Sequence, residues 1–342
     1  MTDRVRVALI GAGRIGRRHA QVLAAQIPQA ELVVVVDADA AAAEATAASV
    51  RVPTWSSDAD TVFGDPSIDA VVIASSTATH APYIIAAAQA GKDVFCEKPI
   101  ALDLETTDAA IDAVDAAGVR LQIGFQRRFD GGYLKAKQMI EAGTIGRLEA
   151  IREAMRDPTP APRDYIATCG GLYRDMTIHC FDCVRWLMGA EVEEIYAMGA
   201  ALVDPMFADL GDIDTSVVTL RFANGAIGSI DNSRRAGFGY DMRTEVFGSD
   251  GALFIGYARD TPVLHLSAAG VHSDHVYWFL DRFGQAYAHE LSAFVACIVN
   301  GTRPSVDGTD GRAALVLAYA AEEARRQNRP VSPSLYARSP RR

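Results

Sequence analysis

The sequence predicts an α/β protein: a doubly wound parallel sheet in the N-terminal third, then an α+β domain with an open, largely antiparallel sheet. Three observations carry this. A β-branched run at residues 4–10 ends in a glycine-rich turn and leads into a helical stretch. Buried-strand runs then alternate with helical stretches as far as residue 124, the signature of parallel strands with crossover helices. Beyond that point the alternation gives way to strands joined by Asn224-Gly225 and Asp250-Gly251. At 342 residues the chain exceeds the size at which one core keeps growing, so two domains are expected, 1–123 and 124–342.

The first strand, "RVRVALI", runs into Gly11-Ala12-Gly13-Arg14-Ile15-Gly16 and the helix "RRHAQVLAAQ". A lone G-x-G-x-x-G is weak, but here a strand precedes it and a helix follows. Gly11 is expected to make the tight turn, Gly13 to let a pyrophosphate approach the backbone, and Gly16 to let the helix pack against the strand. The helix N-terminus would hold the phosphates through its free N–H groups and dipole. The next strand, "ELVVVVDAD", ends at Asp37, at the spacing where an acidic residue accepts hydrogen bonds from the adenosine ribose. A carboxylate there repels a 2′-phosphate and no Arg follows at once, so NAD is the expected cofactor rather than NADP.

Two further strand–helix units follow: "DAVVIAS" (69–75) with "STATHAPYIIAAAQA", then "DVFCEKPI" (93–100) with "TTDAAIDAVDAAG", and a last strand, "RLQIGF". Ligands of such sheets sit at the C-terminal ends of the strands. Ser75, Ser76, His80, Glu97 and Lys98 fall at those ends and join the candidate cofactor site.

In the second domain "TSVVTLRFA", "AIGSIDNSR", "RTEVFGS" and "ALFIGYA" read as strands. The Asn-Gly and Asp-Gly dipeptides between them signal hairpins, since their central residues tolerate positive φ. One face of an open sheet needs cover, so a homo-oligomer is expected.

Composition narrows the functions. Hydrophobic residues make up 49% and charged residues 22%, which fits a folded globular protein. A net charge of −10 disfavours nucleic acid or an anionic membrane as partner, because either wants a basic face. The basic "RSPRR" end is too short to change this and reads as a frayed tail. No apolar run reaches the length of a transmembrane helix, and the N-terminus lacks the pattern of a signal peptide. Five cysteines, few and odd in number, suggest no disulfide framework, so a cytoplasmic protein with reduced thiols is expected.

The stretch 170–187, "GGLYRDMTIHCFDCVRWL", sets Asp175 and His179 four residues apart among large apolar residues. On an α-helix such neighbours have Cβ atoms roughly 5–6 Å apart. An acid–base pair, a metal site and an ordinary core helix are all compatible with it. Histidine, with an unperturbed pKa of about 6.5, suits proton transfer near neutrality. Cys180 and Cys183 have no second C-x-x-C and no matching His pair, so no metal site is expected. Arg127 and Arg128 are either a solvated pair or include one functional residue.

Six segments carry a family likeness: "GAGRIG", "CEKPI", "GFQRRFD", "DMTIHCFDCVRWL", "GYDMRTEVFGSDG" (239–251) and "DRFGQAYAHEL" (281–291). Together they span nearly the whole chain, which resembles the glucose–fructose oxidoreductase / inositol dehydrogenase / MocA family. The resemblance implies an N-terminal Rossmann domain and a C-terminal open-sheet domain assembled as a tetramer through sheet faces. It implies that Lys98, Asp175 and His179 form the catalytic group. Arg127 would be a substrate or nicotinamide-side contact, and Asp157, Tyr240 and Tyr287 stand in family-like substrate positions.

The reaction it implies is NAD-dependent oxidation of a secondary ring hydroxyl of a cyclic polyol, myo-inositol to 2-keto-inositol. Scyllo-inositol or a pyranose is the alternative substrate, and a non-enzymatic NAD-sensing regulator the alternative function. Such an oxidation needs a base for the hydroxyl proton, a role for His179, and charge stabilisation at the oxygen, a role for Lys98. Asp175 would orient the imidazole, bond a substrate hydroxyl, or do both. The loop "RDPTPAPRDYIATCG" (156–170) departs from the inositol enzymes and leaves the polyol open.

Overall fold

The computed structural model describes residues 4–256 and 258–338; the last four residues of the basic C-terminal run lie outside them, as does Tyr257 in the "ALFIGYA" segment. The chain forms two compact units. One comprises the residues up to Phe129 together with Gln285–Leu315; the other comprises Asp130–Gly284 and the residues from Val316 onward. Each unit is thus built from two separate stretches of chain, which strand–helix alternation along the sequence does not reveal.

The first unit follows the order β1 (Val5–Ile10), α1 (Arg14–Ala25), β2 (Ala30–Val36), α2 (Ala40–Ser49), β3 (Trp55–Ser56), α3 (Asp60–Phe63), β4 (Ala70–Ile73), α4 (Thr77–Gln89), β5 (Asp93–Glu97), α5 (Leu104–Ala117) and β6 (Leu121–Gly124). Its six strands pair in the order β3-β2-β1-β4-β5-β6, all parallel. β4 and β6 are buried along their whole length, as strands covered by helices on both faces must be. The chain leaves β1 for β2 on one side and returns to β4 on the other, so the ends of β1 and β4 flank the switch point where such sheets bind ligands. The short edge strand β3 was not expected from the sequence.

The second unit contains α6 (Gly131–Glu141), β7 (Leu148–Arg156), α7 (Arg163–Ile166), α8 (Ile178–Met188), β8 (Val192–Ala200), α9 (Pro205–Asp209), β9 (Thr215–Phe222), β10 (Ile227–Ser233), β11 (Asp241–Gly248), β12 (Gly251–Ile255), β13 (Leu264–Ser267), β14 (Gly270–Ser273) and α10 (Phe279–Arg282). Its main sheet runs β12-β11-β7-β10-β9-β8 and is antiparallel throughout except for the β7–β10 pair. Burial alternates along β9: Ser216, Val218, Leu220 and Phe222 point inward while Val217, Thr219 and Arg221 are exposed.

Both expected hairpins form, but only one as reasoned. Gly225 takes positive φ between β9 and β10. Between β11 and β12 the turn is Ser249-Asp250, and Gly251 opens the next strand paired with Gly248. Positive φ is not what the second hairpin uses; instead Gly248 is needed because a Cβ there would sit 2.2 Å from the Ile145 carbonyl oxygen.

Two long helices follow: α11 (Gly284–Asn300) and α12 (Gly308–Gln327), with a 3-10 turn at Pro333–Tyr336 after them. α11 belongs to the first unit because Leu291, Phe294 and Val295 join the core built by Val7, Leu9 and Phe95. Among the described residues no helix is long and apolar enough to cross a membrane.

Candidate active site

The β1–α1 turn has the geometry a dinucleotide needs. Gly11 has φ +108°, and a Cβ on it would lie 2.4 Å from the Ala74 carbonyl carbon. A Cβ on Gly16 would lie 1.8 Å from the Gly11 oxygen, so the helix packs as closely as expected. At Gly13 a Cβ would meet nothing within 4 Å, and α1 begins there without a side-chain cap. Open space beside the uncapped amides of a three-turn helix is what a pyrophosphate requires. Arg14 is exposed and Ile15 half-buried at the same helix start. Asp37, just past β2, accepts from the amides of Ala12 (2.6 Å) and Asp39 (2.9 Å), which ties the two strand-end loops together.

At the next strand ends Ser75 is half-buried and bonded to Thr79 (2.7 Å), and Ser76 is exposed as the first residue before α4. His80 differs from expectation. It is only 2% exposed, with Nδ1 2.8 Å from the Pro99 carbonyl oxygen and Nε2 3.1 Å from that of Ser75. Burial pushes its pKa down. Both nitrogens face backbone, so the imidazole braces the Ser75 and Lys98 loops instead of presenting a nitrogen to a ligand. Lys98 is half-buried and precedes a cis peptide bond to Pro99. Glu97 lies 2.8 Å from His19 Nε2.

The "FQRR" segment forms a 3-10 turn over Gln126–Phe129. Arg127 is 1% exposed, and Arg128 is buried and paired with Asp310 at 2.8 Å. The solvated-pair reading of the two arginines is therefore wrong: a guanidinium enters a core only with partners. Tyr287, on α11, is buried with its ring edge-on to His19 and its hydroxyl 3.4 Å from Gln126.

In the second unit Asp175 and His179 do not share one α-helix. Residues Tyr173–Thr177 form a π-helical turn, and α8 starts only at Ile178. The wider turn changes the α-helical spacing assumed from the sequence, and π turns inside helices concentrate at functional sites. Asp175 is buried, accepting 2.7 Å bonds from the Tyr165 hydroxyl and from Arg234. His179 is half-buried. Asp157 lies just past β7, its amide bonded to the Ser233 carbonyl, and its charge adds to that of Asp175 in acting on Arg234. Tyr240 is buried against the rings of Phe279 and Phe283.

Two functional candidates escaped the sequence. Arg234 directly follows β10, and Tyr165 sits in the short α7 of the divergent loop. Burial, then the charge of Asp175, pushes the Tyr165 phenol far up, so it remains a hydrogen-bond donor at any working pH. The "SRR" at the end of a strand was the available signal for Arg234, since an arginine facing a core must find a carboxylate. Cys180 and Cys183 are fully buried on α8 and form no disulfide, as a packing role requires.

The strand order, the open glycine at a helix start and the strand-end acid define a dinucleotide-binding protein of the Rossmann class. Residues 5–125 match a family model described as an oxidoreductase family with an NAD-binding Rossmann fold, and residues 133–254 match the GFO/IDH/MocA C-terminal domain. The chain belongs to the Gfo/Idh/MocA family and is an NAD-dependent oxidoreductase. It is 44% identical over 328 residues to the myo-inositol 2-dehydrogenase of Thermotoga maritima, covering 96% of this chain and 98% of that one. It is 40% identical to the scyllo-inositol 2-dehydrogenase (NAD(+)) of Bacillus subtilis, covering 97% of each. A solved scyllo-inositol dehydrogenase from Lactobacillus casei, with NAD(H) and scyllo-inositol bound, superposes with a TM-score of 0.92 at 30% identity, covering 97% of this chain and 100% of that one.

Proposed function

We propose that the protein oxidises a secondary ring hydroxyl of a cyclic polyol, myo-inositol to 2-keto-inositol, with NAD as acceptor. The observation that carries this reading is the near-full-length similarity to enzymes named for inositol oxidation. Cofactor binding is assigned to the first unit, through Gly11, Gly13, Arg14, Ile15, Gly16, Asp37, Ser75, Ser76 and Glu97. Substrate binding is assigned mainly to the second.

When bound, NAD supplies the hydride acceptor. His179 takes the hydroxyl proton, and the Lys98 ammonium steadies negative charge growing on the reacting oxygen. Asp175, fixed by Arg234 and Tyr165, holds a neighbouring ring hydroxyl or directs the imidazole. Arg127, Asp157, Tyr240 and Tyr287 act on the substrate side.

A second reading, scyllo-inositol or a pyranose as the preferred substrate, is favoured by the scyllo-inositol relative and by the divergent 156–170 loop that places Tyr165 on Asp175. NADH formation from NAD⁺ and a panel of inositols and sugars separates the two. The highest kcat/KM for myo-inositol supports the first reading, and a higher value for another ring supports the second. No NADH from any polyol defeats both and leaves an NAD-sensing regulator.

The assembly proposed is a cytoplasmic homotetramer. On the outer face of the second unit's sheet Ile227 and Phe247 flank Ala150 in one cross-strand row, and Met198 and Val217 form an adjacent pair, all four exposed. Exposed apolar side chains set among the Arg152–Glu245 and Arg221–Glu194 ion pairs make a mixed face of the kind that partner subunits cover. Light scattering that gives a monomer mass at micromolar concentration would refute it.

A further inference from the structure

Within the first unit, one carboxyl group has been buried without an outlet for its charge. Glu290, on α11, is fully buried and neither of its carboxyl oxygens has a hydrogen-bond partner. It meets His19 from α1 and Glu97 from the end of β5, and one donor atom from each of the three lies within 4.8 Å of the others. His19 is also fully buried, with Nε2 2.8 Å from Glu97 Oε1 and its ring edge-on to Phe95 and Tyr287. Gln122 from β6 donates to the backbone carbonyl of Glu290, not to its side chain. Gly124 leaves room for the Glu97 carboxyl: a Cβ there would lie 2.9 Å from Oε2.

Two carboxylates this close in so dry a place cannot both be ionised, because like charges repel and burial penalises each. The choice between them follows from their surroundings. The Glu97 side chain retains 13% exposure and has the imidazole beside it, so it carries the charge. Glu290 has neither solvent nor donor, so it carries the proton. Burial, and then the charge of Glu97, raise the pKa of Glu290 well above the carboxyl range. The titratable groups around the pair are His19 from α1, Tyr287 one turn earlier on α11 and the Cys96 thiol on β5, whose pKa burial and the Glu97 charge push up, while His80 from α4 feels the charges of Glu97 and Lys98.

We propose that Glu290 is a positioning residue: a neutral carboxylic acid at pH 7 whose proton is directed at Glu97, so that Glu290 and His19 together hold the Glu97 carboxylate in place for NAD. The cofactor half of this statement rests on the assignment of Glu97 to the NAD site made above. The proton half does not.

A carboxyl whose folded pKa is raised exacts no penalty below its unfolded value of about 4.3, and lowers stability as pH rises from there toward its folded value. Wild type, E290Q and E97Q are therefore compared by thermal denaturation and by NADH fluorescence titration from about pH 6 to about pH 9.5, after the metal content of each purified protein is measured. The amide of E290Q replaces the acid's donor without a titrating proton. E290Q is expected to bind NADH within about threefold of wild type at pH 7 and to lose less Tm than wild type as pH rises. Wild-type NADH affinity is expected to fall about tenfold toward the alkaline end while that of E290Q stays level. E97Q should weaken NADH at every pH.

Parallel Tm profiles for wild type and E290Q would overturn the shared proton. So would a stoichiometric divalent metal in wild type that E290Q lacks, since the same three side chains could instead hold a cation. Unchanged NADH binding by E97Q would overturn the positioning role, with the thermal profiles still deciding the proton.

Discussion

The two units arrive at their candidate functional residues by different routes. In the first, the cradle is backbone: Gly11, Gly13 and Gly16 shape one turn, and Asp37 closes it from the very next strand. In the second, the key carboxylate is held by side chains far apart in sequence. Asp175 takes one hydrogen bond from Tyr165, ten residues earlier, and another from Arg234, fifty-nine residues later. A site made of main chain is written locally and tolerates little substitution at its glycines. A site made of charged side chains is assembled by sheet topology, and its cost is the burial of charges that must find each other.

Substitutions can break this contrast, and the largest effect belongs in the second unit. Replacing His179 by Ala should lower kcat by about 10²–10⁴-fold with NADH binding intact, measured by steady-state kinetics and fluorescence titration. A loss under tenfold would remove it as the base. Arg234→Ala strands the buried Asp175 anion and should cost about 3–5 kcal/mol of stability by denaturant titration. A change near zero would show that the pair is not what fixes Asp175.

Lys98→Ala sharpens the comparison from the other side. The residue sits among cofactor loops, yet kcat should fall about a hundredfold while NADH affinity barely moves. Loss of NADH binding alone would return Lys98 to the cofactor. Tyr165→Phe removes only one charge-assisted hydrogen bond to Asp175 and should reduce kcat/KM by about tenfold or somewhat more, without loss of fold. The smallest effect is expected at Asp37: Ala there should raise the KM for NAD and relax the rejection of NADP. An unchanged cofactor preference would refute the ribose assignment.

The same contrast explains what could be read from the sequence. The parallel sheet, its glycine turn and the strand-end place of Asp37 were legible because each follows from strand–turn–helix units contiguous in sequence. The return of α11 to the first core was not, because Leu291, Phe294 and Val295 look like any apolar helix face until they meet Phe95. His80 stood at a strand end, where ligands bind, but side-chain direction is invisible in a sequence, and it points at Pro99 and Ser75 carbonyls. Residue type left Arg127 and Arg128 open between a solvated pair and a functional one, and only the fold shows both in the interior. The π turn at Tyr173–Thr177 leaves no periodicity signature, since one widened turn displaces the pattern by a single residue. The second hairpin was found for a partly wrong reason, because its glycine serves close packing at Gly248 and strand pairing at Gly251.

The central claim is that this chain passes the C2 hydride of myo-inositol to NAD. Myo-inositol deuterated at C2, incubated with the protein and NAD⁺, tests it by mass spectrometry of the reduced cofactor. The account predicts NADH one mass unit heavier than normal, formed more slowly than from unlabelled inositol. Unlabelled NADH, or none at all from myo-inositol while the protein still binds NADH, would contradict it.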